Sequence, residues 1–405
     1  MKNKKVLILN DGSGYKNWGI KACIDGLNNI FEKEIKNYQK TGVPHSYMHK
    51  VYTWEPYIFN RRLLNDDSRI AKKTLSQFHR LPDIADEFEY ISELWLKGKG
   101  GSGAKSFISM AKNTDIVVFN AEGSTYRKNV GAIKGLFMLW FAKCKLNKQA
   151  YFLNGSVTLT LVDSTLPAIV NKVFQVIDGV AVREPYSYKN IKDFYPSLNN
   201  IKMYPDSVFS LSVDKDHLTK KISELDILNK DFFCFSLSML PMDYRKSRSK
   251  SSLVYIIKKL KKIVPNAVLL AKDVEDQILK DVAKDTNSIF IGGNFDYLDV
   301  MSLLSKSKFI FSGRYHHLIF AAKVGCPCIP IASSSHKIHG LSELFKDIMP
   351  HPIDHTDLWR QIDTIVEIAN SIIKTENIRE LYMDRAEKLK FDSMSQGTLI
   401  KGKQQ

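Results

Sequence analysis

A chain of 405 residues that is 44% hydrophobic can bury two cores, which predicts two globular domains. Its formal net charge of +16 calls for an acidic partner. No nucleic-acid module or aromatic-basic interleaving is present, so nucleic acid is set aside in favour of phosphorylated substrates or an anionic lipid face.

The opening MKNKKVLILNDG has too short an apolar run for a signal peptide. The most apolar helix candidate, 131–146, is too short to span a bilayer and carries Lys134 and Lys143. A cytoplasmic protein is expected. Cys23, Cys144, Cys234, Cys326 and Cys328 lie mostly in apolar runs with no CxxC pair or zinc spacing. They read as reduced core thiols, and no metal is expected.

In chain order, KKVLILN (4–10) predicts a buried parallel strand, DGSGYKNWG a glycine-rich turn, and Gly19 to Phe31 a helix. Residues 35–110 are polar and irregular, which predicts an insertion around a binding cleft. Within it KGKGGSGAK (97–105) follows no strand and reads as a flexible loop rather than a phosphate cradle. From 114 apolar strands (TDIVVFN, QAYFLNG, GVAVRE, NIKMY) alternate with helical segments. A polar linker at 213–230 precedes a second series, with strands FFCFSLSML, AVLLAK, SIFIGG, KFIFSG and PCIPIA and intervening helices. One or two amphipathic helices follow to about Lys388.

This alternation predicts an α/β protein of two Rossmann-like domains facing a cleft, the GT-B-like arrangement, with C-terminal helices. The expected domains are 1–212 and 231–390, with 391–405 a flexible tail. Ligands then bind at the carboxyl ends of the strands.

Several strand-to-helix joints carry candidate chemistry. In the first, Asp11, Asn17 and Gly19 could hold an anion or a sugar hydroxyl, or Asn17 could simply cap a helix. In the second, NAEGST, Glu122 could take a proton from an acceptor hydroxyl beside Ser124, or it could cap a turn. In the third, Arg183 could bind a carboxylate or phosphate, while Glu184 and Asp206 fix the loops or form a salt bridge. The run from Arg245 to Lys262 holds eight lysines and arginines and no acid. It could grip a phosphate, dock on an anionic inner membrane or be a solvated face.

The strongest signal is FSGRYHHLIFAAKVGCPCIPI (311–331). Arg314 can pair bidentately with a carboxylate or phosphate, in a turn with Ser312 and Gly313. His316, two residues on, is close enough to give a proton to the same ligand. His317 reads as a packed histidine, and Lys337 after the next strand could complete an anion pocket.

SGRYHHLIFAAKVGCPCIPI with SSSHKIHGL resembles the C-terminal signature of the polysaccharide pyruvyltransferases. NWGIKA, NAEGSTY, VREPYSYKNIKDF and YPDSVFSLS resemble the family's earlier segments in the right order. Ile20 stands where the family's turn carries an acid, and Ala121-Glu122 interrupts its triple-glycine turn. The resemblance implies a GT-B-like fold and transfer of pyruvate from phosphoenolpyruvate onto two sugar hydroxyls as a ketal. Arg314 would hold the donor's carboxylate or phosphate, and His316 would protonate its methylene carbon. An oligosaccharide or lipid-linked acceptor is implied, with no cofactor and no metal. Two alternatives stand beside it: a GT-B glycosyltransferase using a nucleotide-activated sugar, and a non-catalytic sugar- or lipid-phosphate-binding protein.

Overall fold

The computed structural model describes residues 3–35, 37–49, 81–123, 125, 129–162, 165–213, 218–237, 250–271, 276–333, 335–356 and 358–401. The chain forms two compact units. The first comprises Met1–Tyr15, Cys23–Ser207 and Met394–Gln405, and the second Lys16–Ala22 and Val208–Ser393.

In the first unit the elements run β1 (Lys5–Asp11), α1 (Trp18–Glu34, entering from the second unit's Lys16–Ala22 segment), β2 (Gln39–Pro44), α2 (His45–His49), α3 (Phe88–Leu96), α4 (Gly101–Lys112) and β3 (Ile116–Asn120). They continue with α5 (Val130–Leu146), β4 (Gln149–Gly155), α6 (Thr165–Phe174), β5 (Gly179–Val182), α7 (Pro185–Phe194) and β6 (Ile201–Met203). The six strands form one parallel sheet in the order β2-β1-β3-β4-β5-β6. Parallel strands are covered on both faces, which is why VLIL and IVVF are unbroken apolar runs.

Two expectations for this unit are corrected. The described part of 35–110 is not a polar insertion. Its aromatic residues Phe88, Trp95 and Phe107 are buried in the core with Phe137 and Phe141 of α5. The second part of the supposed glycine loop (97–105), from Gly101 on, is the start of helix α4, and left-handed Gly98 (φ 75°) and Gly101 (φ 80°) turn α3 into α4. The edge strand β2 (QKTGVP) escapes an apolar search because Val43 is its one buried residue. It pairs through Leu9↔Val43 and ends on a proline, which an edge tolerates.

The 391–405 tail is not flexible through its described residues. After α15 (Ile378–Met394) the chain turns into α16 (Gly397–Lys401). There Ile400 is buried with Ile24, Phe31 and Tyr151, and Gln396 Nε2 donates to the Pro205 carbonyl at 3.0 Å. The apolar pair Leu399-Ile400, which packs on this core, supplies the reason.

The main segment of the second unit begins at Val208. It runs α8 (Lys220–Ser223), β7 (Phe232–Ser236), α9 (Lys250–Leu260), β8 (Asn266–Leu270), α10 (Ile278–Asp285), β9 (Ile289–Ile291) and α11 (Tyr297–Leu304). Then come β10 (Ile310–Ser312), α12 (Tyr315–Lys323), β11 (Cys328–Pro330), α13 (Lys337–Leu344) and α14 (Ile362–Lys374) before α15. Its five strands are parallel in the order β11-β10-β7-β8-β9. Asp296 and Asp299 close a reciprocal capping box on α11. The thiols of Cys234, Cys326 and Cys328 are buried, and burial pushes that of Cys326 up to about 12. That makes Cys326 inert as a nucleophile at neutral pH.

Among the described residues no helix is long and apolar enough to cross a membrane. Of the basic run, Arg245, Lys246 and Arg248 lie outside the described residues. Lys250 pairs with Asp285 at 2.8 Å and Lys261 donates to the Thr286 and Asn287 carbonyls, so both serve the unit's own packing. Lys258 and Lys262 are exposed.

The buried tail gives a direct prediction. Ile400→Ala should cost ~2–5 kcal/mol in urea unfolding of the first unit, the range for deleting a buried branched side chain. A cost near zero would mean that α16 is not docked.

Candidate functional site

In an open parallel sheet that winds outward in both directions, the loops flanking the reversal of strand order form a crevice at the strands' carboxyl ends. The first unit reverses between β1 and β3, and the second between β7 and β10. Those positions put DGSGY and NAEG at one reversal and SGRYHH at the other.

Around the first reversal three strands carry an asparagine at or next to their carboxyl end: Asn10 in β1, Asn120 in β3 and Asn154 in β4. Asn10 and Asn154 are left-handed at φ 67° and 56°, as is Glu122 at 45°. Asparagine tolerates this conformation better than most residues. Asn10 Nδ2 donates to the Asn120 carbonyl at 2.7 Å, tying β1 to β3. Asn120 Nδ2 donates to Glu122 Oε1 at 3.0 Å, and Asn154 Oδ1 accepts from the Ser207 backbone at 2.9 Å. Since a carbonyl only accepts, the Asn10 amide is oriented with Oδ1 toward His45. His45 Nδ1, 2.6 Å away, is therefore the donor. The asparagines and His45 were missed in the sequence, although VLILN, IVVFN and YFLN repeat one signal, an apolar run closed by Asn.

Other first-unit candidates have structural work. Asp11 accepts from the Ser13 backbone at 2.9 Å and faces Lys40 Nζ at 3.5 Å. Arg183 is fully buried; its Nη1 meets Asp206 Oδ2 at 2.7 Å and its Nε donates to Ser156 Oγ. The expectation that Arg183 binds a donor anion is corrected: its carboxylate is the protein's own. Burial keeps the charges together, because parting them would leave an uncompensated buried charge. Glu184 caps α7 by accepting from the Ser187 backbone at 3.0 Å. Ser124 lies outside the described residues.

At the second reversal Ser236 ends β7 and Ser312 ends β10, with their hydroxyls 2.6 Å apart. Ser312 Oγ also accepts from the Arg314 backbone at 3.0 Å, and the Gly313 N–H reaches the Ser236 carbonyl. This pins the turn. The Arg314 side chain is buried, with Nη2 2.5 Å from Oδ1 of fully buried Asp276. Asp276 has no sequence signal of its own, since it follows β8 without a motif. His317 is buried too, its Nδ1 2.9 Å from Ser236 Oγ and its ring 5.3 Å from that of Trp18. His316, half-buried, is braced by the rings of Tyr315 at 5.3 Å and Phe320 at 6.4 Å. Lys337 is the first residue of α13, after β11.

Two acceptor-side expectations move. Asn17 and Gly19 fall in the segment Lys16–Ala22 and cluster with the second unit, with SGRYHH. Asn17 Oδ1 accepts from the Ile20 backbone at 3.3 Å, the capping role. Gly19 lies against the His316 ring: a Cβ there would sit 2.0 Å from Nδ1.

Comparison with known proteins agrees with this architecture. Among curated proteins none matches the chain in sequence. Solved structures resemble it at low identity. The UDP-GlcNAc 2-epimerase of Neisseria meningitidis, bound to UDP-GlcNAc, is 12% identical over 98% of this chain and 100% of its own, with TM-score 0.58. HepE of Anabaena, in complex with UDP-glucose, is 15% identical over 98% of each chain, with TM-score 0.57. MnaA of S. aureus, with UDP, is 13% identical over 98% and 96%, with TM-score 0.56. At such identity these likenesses show the fold, which is GT-B-like. A family model described as polysaccharide pyruvyl transferase matches residues 21–335. The turn that pins Arg314 and His316 lies inside that match, and the chain belongs to the polysaccharide pyruvyl transferase family.

Proposed function

We propose that the protein transfers a pyruvyl group from phosphoenolpyruvate to two hydroxyls of a cell-surface polysaccharide or its lipid-linked precursor. The observation that carries the reading is the pinned SGRYHH turn at the reversal of the second unit, where a guanidinium held by Asp276 and an imidazole stand two residues apart. Arg314 supplies positive charge for the donor's phosphate or carboxylate, and Asp276 sets its orientation. Ser312, Gly313 and Lys337 complete the donor side.

In the proposed reaction His316 gives its proton to the donor's methylene carbon, which becomes the methyl group. The first acceptor oxygen bonds to C2 of the resulting cation and loses its proton to Glu122, oriented by Asn120. The second hydroxyl oxygen then bonds to C2 as the C2–O bond to phosphate breaks, and its proton leaves with solvent. The products are the ketal and inorganic phosphate. Each carbon–oxygen bond gained or lost at C2 is balanced by a proton, so no redox partner is needed. The asparagine-rich reversal of the first unit, with Asp11 and His45, handles the acceptor. We place the protein in the cytoplasm, with exposed lysines of α9 available to an anionic inner membrane face.

A second reading, a glycosyltransferase using a nucleotide sugar, draws support from the strand order of the second unit, which is that of nucleotide-binding sheets. The UDP and UDP-sugars bound by the similar structures point the same way. Thermal-shift measurements separate the readings: stabilisation by phosphoenolpyruvate supports the first, and stabilisation by UDP-sugars alone replaces it with the second.

Two outcomes are expected under the first reading. With phosphoenolpyruvate and an oligosaccharide panel, His316→Ala should lower kcat for phosphate release by about 10²–10⁴-fold, the usual contribution of a general acid. Undiminished release would remove His316 from the chemistry. Asp276→Asn should raise the donor KM by roughly tenfold, equivalent to ~1.4 kcal/mol, because the guanidinium loses its orienting carboxylate. An unchanged KM would show that Arg314 does not meet the donor.

A further inference from the structure

We infer that Trp18 and Gly19 are positioning residues for His316, holding its ring so that Nε2 is the nitrogen that delivers the proton. The inference rests on the proposed role of His316 as the acid, and it gives a first-half motif, NWG, a task at the second unit's site.

Gly19 is the second residue of α1, where glycine is a poor choice on propensity alone. Its φ is not in the left-handed region, since it is absent from the positive-φ glycines Gly98, Gly101 and Gly325. The backbone therefore does not demand glycine. Space does: an added Cβ would lie 2.0 Å from His316 Nδ1, 2.6 Å from Cγ and 2.9 Å from Cε1. Contacts that short are impossible, so with any other residue either the imidazole or the start of α1 must shift. The ring meets Gly19 by its Nδ1 side, which turns Nε2 to the opposite side.

The segment that carries Gly19 is anchored on both flanks. Trp18 is buried; its Nε1 donates to the Phe295 carbonyl at 2.6 Å, and its ring lies 5.3 Å from that of His317. Asn17 caps the helix, and Lys21 Nζ stands 3.7 Å from Asp296 Oδ2 and 5.5 Å from the Tyr297 ring. The loop after β9 thus fixes the start of α1, and Gly19 at that start lies against the Nδ1 side of the His316 ring, which Tyr315 and Phe320 also contact. A floor attached at these points restrains the ring, and a catalytic group misplaced by about 1 Å can lose about 10²-fold in rate.

The test uses the full chain labelled with ¹⁵N-histidine, with the His316 imidazole signals assigned by their loss in His316→Gln. Gly19→Ala should shift those signals and lower kcat about 10²-fold, the cost of misplacing a catalytic group by about 1 Å, with the donor KM changed less than about threefold. Gly293→Ala, where a Cβ meets nothing within 4 Å, should leave signals and kinetics as they are. If Gly19→Ala does not fold, Trp18→Phe, which keeps a ring but loses the bond to Phe295, should move the same signals by less. His316 signals unmoved in the folded variant, or a loss confined to KM, would overturn the inference. Should the wild type turn over no phosphoenolpyruvate, the proposed reaction fails, while the imidazole signals still decide the positioning role.

Discussion

A parallel sheet has to reverse its order of growth if its first strand lies inside it, and the site follows from that constraint. Right-handed crossovers place successive helices on one face until the order reverses, then on the other. At the reversal no helix covers the gap between neighbouring strand ends. The polar loops there are consequently held by side-chain and backbone hydrogen bonds rather than by apolar packing. In the first unit that lattice is Asn10, Asn120, Asn154 and Glu122, with three left-handed backbones among them. In the second it is Ser236, Ser312, Asp276 and Arg314.

The two lattices solve the same problem with different chemistry. The first is built of neutral amides around one carboxylate, suited to hydroxyl groups that both donate and accept. The second centres on a desolvated ion pair, which persists only because each charge has its partner. A fixed guanidinium also offers a directed positive charge to an incoming anion without waiting for a flexible side chain to order. The buried Arg183–Asp206 pair is the instructive contrast. It has the same chemistry, and an additional bond to Ser156, but it serves to lock β5 to the segment after β6.

Much of the fold was legible in the sequence because parallel strands must be apolar on both faces. Among the described residues, nine of the eleven strands stand out as apolar runs, while the two edge strands of the first sheet, β2 (QKTGVP) and β6 (IKM), have one buried residue each; the alternation of elements still pointed to β6, and nothing pointed to β2. Helices α3 and α4 were obscured by the glycines between them, whose task is to let the chain turn tightly beside Trp95. The SGRYHH turn was visible as a motif, and the family match includes it. Its partners were not: Ser236 reaches it from the end of β7 and Asp276 from the segment after β8, and Trp18 and Gly19 from more than two hundred residues earlier. Such long-range neighbours leave no local periodicity. Arg183 and Arg314 look alike as isolated arginines after strands, and both are buried against an aspartate; only Arg314 follows a strand at a reversal of strand order.

The claim on which the functional account turns is that His316 places a proton on the methylene carbon of phosphoenolpyruvate. The most direct measurement is to run the reaction in D₂O and read the methyl group of the product by NMR and mass spectrometry. The account predicts one deuterium in the pyruvyl methyl of the wild-type product, and ketal formation by His316→Gln slowed about 10²–10⁴-fold. A wild-type ketal without deuterium, or undiminished ketal formation by His316→Gln, would contradict it.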